Sequence, residues 1–178
     1  NLIYISLIGL LSGILGTGLG GLGVVLLKKI RFKILGILLG FSGGIMTVIV
    51  FLDLIPEARS EGNIISALIG LVLGVILIAF MDINFPHQHL NITGEMCKTS
   101  RRYFKTGLLL CTGIALHNLP EGLAIGAGFI ASRNLGIGLA VMIALHNLPE
   151  GMAVATTLCM SDLKEYKIIA ITAAAGLP

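Results

Sequence analysis

The sequence predicts an all-α fold, a polytopic bundle of membrane-spanning helices, on three observations. Mean hydropathy is +0.99, with 56% hydrophobic and only 12% charged residues, against roughly 25% charged in an average soluble domain. The charges are clustered, which leaves apolar runs near or above the ~20 residues a helix needs to cross the hydrocarbon core. Those runs are continuous and lack the short alternating strands that a closed membrane barrel requires.

Residues 1–27 contain no Asp, Glu, Lys or Arg and form the first run. The chain begins at Asn1, so its true beginning is expected upstream. This run lacks a basic n-region and a small-residue cleavage site, and reads as a helix, not a signal peptide. Residues 34–52 and 62–81 are also free of charge and give the second and third helices. Residues 106–132 carry one charge, Glu121, and 134–161 carry one, Glu150; these are the fourth and fifth. A sixth run opens at Ile168 and meets the chain end at Pro178. Five complete transmembrane helices and the start of a sixth are expected. They form a single transmembrane domain over 1–178, C-terminally truncated, with a polar, basic cytoplasmic loop at 82–105 within it.

If the chain crosses the bilayer at each run, ten of its twelve Lys and Arg fall on one face. Only Arg59 and Arg133 fall on the other. The positive-inside rule then puts the N-terminus outside the cytoplasm. The net charge of +3 reflects this topology and gives no support to nucleic-acid binding. Cys97, Cys111 and Cys159 form no CxxC pair and read as reduced packing or loop cysteines. The 82–105 loop holds His87-Gln88-His89, two histidines that bind a metal weakly or are incidental to a solvated loop.

Glycine pairs four apart recur along the chain: Gly9/Gly13, Gly16/Gly20, Gly36/Gly40/Gly44, Gly70/Gly74 and Gly122/Gly126. Small residues at this spacing let membrane helices approach closely, so a tight bundle is expected, and a homodimer is permitted. Gly16, Gly18 and Gly21 also fit GxGxxG. No strand precedes them, so the dinucleotide-binding reading fails its structural context.

The hexapeptide His-Asn-Leu-Pro-Glu-Gly occurs twice, at 117–122 and 146–151, in the middle of the fourth and fifth runs. Ionisable residues at membrane depth are costly and mark function. On a helix, residues three and four apart share a face. His117, Asn118 and Glu121 therefore converge, as do His146, Asn147 and Glu150. Pro120 and Pro149 have no N–H, which frees the carbonyls of Leu116 and Leu145. A single copy reads almost as well as a structural kink with an interhelical hydrogen-bond network. Two copies at matching depth favour one site built from two helices. Two imidazoles and two carboxylates suit Zn²⁺ and also Fe²⁺, Mn²⁺ or Co²⁺. They allow one ion, or two bridged by Glu121 and Glu150. No thiolate is present, so binding is reversible enough for release, as transport requires.

Asp53 and Glu57 lie at the outer end of the second helix. They draw cations to an entrance by focusing negative potential, or they simply solvate a helix end at Pro56. Asp82, Asp162 and Glu165 read as solvated boundary residues, with a minor exit role open to Asp82. An intramembrane metallohydrolase would show His-Glu-x-x-His, which is absent, so the chain is not read as an enzyme. A metal sensor that binds without a path stays open as the other class.

The stretch Ala-Leu-His-Asn-Leu-Pro-Glu-Gly-Leu-Ala-Ile-Gly and its twin on the fifth helix resemble the ZIP (Zrt/Irt-like) divalent-metal transporters, in their prokaryotic GufA-like branch. The resemblance covers essentially the whole chain, including helix order and a histidine-containing loop between helices three and four. It implies eight helices and a binuclear centre between helices four and five. The ligands it implies are His117, Asn118 and Glu121 with His146, Asn147 and Glu150, and Met46 joins them from the second helix. It also implies two further helices beyond Pro178, and another glutamate near the chain end that helps bind the second ion. The implied activity is import of a divalent cation, Zn²⁺ foremost and Fe²⁺, Mn²⁺, Co²⁺ or Cd²⁺ besides, across a prokaryotic inner membrane, with no organic cofactor. Alternating access is expected, with helices one to three moving against the four/five pair.

Overall fold

The computed structural model describes residues 2–28, 31–84 and 98–177, and every element in these stretches is helical. The elements are α1 (Leu2–Leu27), α2 (Phe32–Val48), a π-helical segment (Ile49–Leu54), α3 (Ile55–Glu61), α4 (Ile64–Asn84), α5 (Lys98–Ala131), α6 (Arg133–Leu158) and α7 (Glu165–Ala175). His87, His89, Cys97 and the side chain of Asp82 lie outside the described residues.

Four helical stretches have the length and hydropathy to cross a membrane: Leu2–Leu27, Lys33–Glu61, Lys98–Ala131 and Arg133–Leu158. In α4 the apolar stretch Ile64–Phe80 falls just short, and α7 is the opening of the sixth run. The chain is an integral membrane protein. Helix also extends into both ends of the 82–105 connection, since α4 reaches Asn84 and α5 starts at Lys98. A charge cluster marks where the chain leaves hydrocarbon, and backbone hydrogen bonds need not stop there. The stretch between the described helices is therefore shorter than the charge pattern outlines.

The second helix is interrupted in a way the sequence does not announce. Pro56 has no N–H for the carbonyl one turn back, and its ring crowds that turn. The backbone widens just before it, with Ile55 N–H donating to the Val50 carbonyl, five residues away. This is the i→i+5 bond of a π-helix. By contrast, α5 and α6 run unbroken through Pro120 and Pro149. One residue, Ser132, links them, and it caps α6 by accepting from Leu135 N–H at 3.1 Å.

Packing divides the helices. α1, α5, α6 and α7 enclose one another, while α2 lies on α6 and α4 touches α5 only lightly. α1 packs with α5 and α6, the helices that bear the hexapeptides. The cause is a stripe of small residues on α1. A Cβ placed on Gly16 would sit 2.6 Å from the Ala144 carbonyl oxygen, and one on Gly20 would overlap the Leu148 carbonyl. Only a residue without Cβ lets the two backbones meet this closely. The pairs on α2 and α4 behave otherwise, for Gly36, Gly40, Gly44, Gly70 and Gly74 face open space.

Two apolar cores result. One joins Val24 and Val25 of α1 to Val154, Ala155 and Leu158 of α6 and Ile168 of α7. The other joins Ile45 and Ile49 to Ile125 of α5 and to Leu139, Ala140 and Ile143 of α6. The polar residues of both hexapeptides fall between these cores along α5 and α6.

Candidate metal centre

Glu121 is the hub of the polar layer. Its side chain is 5% exposed, and its Oε1 lies 2.9 Å from His146 Nε2 and 3.1 Å from His117 Nε2. The second contact is the i, i+4 pair that helix geometry predicts. The first crosses from α5 to α6. Ligand atoms of His117, Glu121 and His146 all lie within 4.8 Å of one another. His146 is fully buried, whereas His117 is half exposed. His117 also lines a cleft of about 760 Å³ between α4 and α5, so the group has an open side.

The remaining hexapeptide residues surround this group. Asn118 donates from Nδ2 to the Ala175 carbonyl at 2.8 Å, tying α5 to α7. That leaves its Oδ1 buried without a partner, as are Glu121 Oε2, His146 Nδ1, both amide atoms of Asn147 and Glu150 Oε2. A buried polar atom without a hydrogen bond is costly, more so where no water competes. Here several oxygens are left with free lone pairs within one layer. Asn118, Glu121 and Asn147 also line a small cavity of about 10 Å³, closed on its other side by Ser12 and Gly13 of α1. That volume is close to the minimum for one water-sized occupant.

Glu150 stands apart from the three-residue group, although it lies within electrostatic range of Glu121 and both histidines. The reason is that His146 turns its Nε2 across to Glu121 and not along its own helix. Met46 is half-buried against the apolar core that holds Ile125 and Ile143, each about one turn from a hexapeptide residue. Asp53 is exposed in the π segment, Glu57 is partly exposed on α3, and neither belongs to the group.

Two buried hydroxyls that the sequence reading passed over adjoin the site. Ser12 lines the small cavity. Ser42 of α2 donates to the His146 carbonyl at 3.0 Å, reaching the backbone of the buried histidine from a different helix. The available signal was a serine inside a charge-free run, which is too common in membrane helices to stand out.

Two imidazole nitrogens and one carboxylate oxygen give three ligands and leave a fourth position open. Zinc sites of this kind exchange water or substrate, while structural sites are closed by four protein ligands. The arrangement can therefore hold a divalent cation reversibly and balance part of its charge.

The family described as ZIP Zinc transporter matches residues 84–177, which include both hexapeptides. Zinc transporter ZTP29 of Arabidopsis thaliana is 34% identical over 144 residues, covering 72% of this chain and 52% of that protein. The zinc transporter ZupT of Corynebacterium glutamicum is 36% identical over 126 residues, 62% of this chain and 48% of the other. ZupT of Chlorobium chlorochromatii is 30% identical over 157 residues, 78% and 58%. The chain spans about half the length of these curated relatives. No solved structure matches it. With the twin hexapeptide on two packed helices and a His/Glu group between them, the chain belongs to the ZIP zinc transporter family.

Proposed function

We propose that the protein carries divalent cations, Zn²⁺ foremost, across a prokaryotic plasma membrane into the cytoplasm. The observation that carries this reading is the convergence of His117, Glu121 and His146 within 4.8 Å inside an apolar bundle. The names of the relatives, all zinc transporters, support Zn²⁺ as the substrate. Fe²⁺, Mn²⁺, Co²⁺ and Cd²⁺ meet the same ligands and are separated from Zn²⁺ by geometry, not by ligand type.

In this mechanism the ion enters from the N-terminal side past Asp53 and Glu57 and sheds water. His117, the half-exposed imidazole, meets it first. Glu121 and His146 complete the first position. The orphaned oxygens of Asn118, Asn147 and Glu150 offer a second, bridged by Glu121, and Met46 adds a soft contact. Alternating access moves α1, α5, α6 and α7 as one against α2–α4; α4 touches them only lightly, and α2 must release or carry along its contact with α6. Protonation of an imidazole removes its lone pair, so metal binding weakens as pH falls through the histidine range. Uptake into vesicles that stays flat between about pH 5.5 and 8 would remove that coupling from the mechanism.

The test is Zn²⁺ flux into proteoliposomes, read with a metal-sensitive dye, for the full-length protein and for Glu121→Ala with Glu150→Ala. Flux should vanish in the double variant while the protein stays folded. Zn²⁺ binding with no flux in the wild type would favour a metal sensor.

A further inference from the structure

A second cleft, of about 710 Å³, opens where the first turns of α5 meet the last turns of α6. Its α5 wall carries Lys98, Arg102 and Tyr103, and its other wall Thr156 and Thr157 of α6 with Met160 just past the helix end. Lys98 and Arg102 are one helical turn apart on the same face. Among the described residues, no Asp or Glu lines the cleft and neither cation is in an ion pair. Two cations side by side repel a divalent metal, so this is no passage for the cargo. They attract an anion.

Depth says which anion. On α5 the charged turns Lys98–Lys105 give way to a stretch whose one charge is Glu121. On α6 the charge-poor stretch runs on to Ser161. Both walls therefore meet at the edge of the apolar layer, at the level of lipid headgroups. The hydroxyls add a chemical constraint. Thr106, also in the lining, donates to the Arg102 carbonyl at 3.1 Å. Thr156 donates to Met152 at 2.7 Å and Thr157 to Ala153 at 3.1 Å. The hydrogens of these three are committed to their own helices, which leaves their oxygens as acceptors, and Thr99 and Tyr103 add further hydroxyls to the lining. The cleft thus pairs cations for a phosphate with acceptors for hydroxyl groups, and Met160 supplies an apolar rim.

We propose that this cleft binds one anionic phospholipid whose headgroup carries hydroxyls, with the phosphate on Lys98 and Arg102 and the hydroxyls donating to the threonine oxygens. Basic pockets between membrane helices at headgroup depth hold anionic lipids through the same charge logic.

The experiment is native mass spectrometry of the full-length protein in neutral detergent, with phosphatidylglycerol and phosphatidylcholine added in equal amounts. One phosphatidylglycerol should be retained per chain with about 30-fold preference, the size expected for two cations at a membrane surface. Lys98→Gln with Arg102→Gln should abolish the preference, Lys98→Gln alone should reduce it about fivefold, and Lys33→Gln, on the same basic face, should leave it unchanged. An unchanged Zn²⁺-dependent thermal shift in the variants reports an intact fold. Equal retention of both lipids by the wild type, or preference persisting in the double variant, overturns the proposal. So does displacement of phosphatidylglycerol by millimolar inorganic phosphate, which would make the cleft a site for soluble anions.

Discussion

α1 and α4 are similarly apolar, and they behave as opposites. Both are long apolar helices with glycines four apart. α1 buries Gly13, Gly16, Thr17, Gly20 and Gly21 against α6 and α7. No described side chain of α4 is buried, and its Gly70 and Gly74 face open space. In lipid, apolarity does not drive helices together, because the tails are as apolar as leucine. What decides is whether a smooth stripe meets a partner whose backbone is also accessible. α6 is such a partner, for Gly151 presses on Thr17 as Gly20 presses on Leu148. The comparison separates a closely packed unit that holds the candidate metal centre from α4, which lies lightly against it.

The largest effect belongs to the hub of the closely packed unit. Glu121→Gln keeps the shape of the side chain and removes the charge shared by both imidazoles. Zn²⁺ affinity, measured by calorimetry, should fall by more than the roughly 10–100-fold that loss of an outer-shell partner costs. Glu150→Gln, one step removed from the three-residue group, should cost less. Equal losses would mean that the two carboxylates act as a symmetrical pair and that the three-residue group is not the primary position.

The next effect tests the two helices against each other with one chemical change. Gly20→Ala must push a methyl into the Leu148 carbonyl, so it should destabilise by about 1–3 kcal/mol, as overpacking does. Gly74→Ala meets nothing and gains helix propensity, so it should be neutral or stabilising by up to about 1 kcal/mol. Unfolding in mild detergent measures both. If the two variants behave alike, α1 does not depend on the contact with α6 described here.

Much of the site was legible in the sequence, because the helical period alone puts His117 near Glu121, and the repeat doubles that argument. Less legible was the choice His146 makes. The spacing offers it Glu150 on its own helix, yet it turns to Glu121 across the interface, a choice set by tertiary packing. The bundle itself was legible from the charge-free runs. The partners were not, since the glycine pattern of α1 and those of α2 and α4 read alike until a facing surface is known. The π segment was hidden for a different reason: Pro56 announces a disturbance, but kinking and widening both relieve a missing N–H.

The smallest effect concerns the join between the two regions. Ser42 is buried on α2 and donates at 3.0 Å to the backbone of His146 in the closely packed unit. Interhelical hydrogen bonds in membranes average only about 0.6 kcal/mol, so Ser42→Ala should scarcely change thermal stability. Its bond still reaches the residue that carries an imidazole of the candidate metal centre. If the bond holds α2 in place in one state of the cycle only, its loss shifts the balance between states. Zn²⁺ flux should then change about two- to threefold, the factor that ~0.6 kcal/mol supplies, with equilibrium Zn²⁺ affinity moving by no more than the same factor. Ser42→Thr, which keeps the hydroxyl, should restore the wild-type rate. A variant whose flux stays at the wild-type value would show that the bond persists throughout, and that α2 travels with α6 and not with α4.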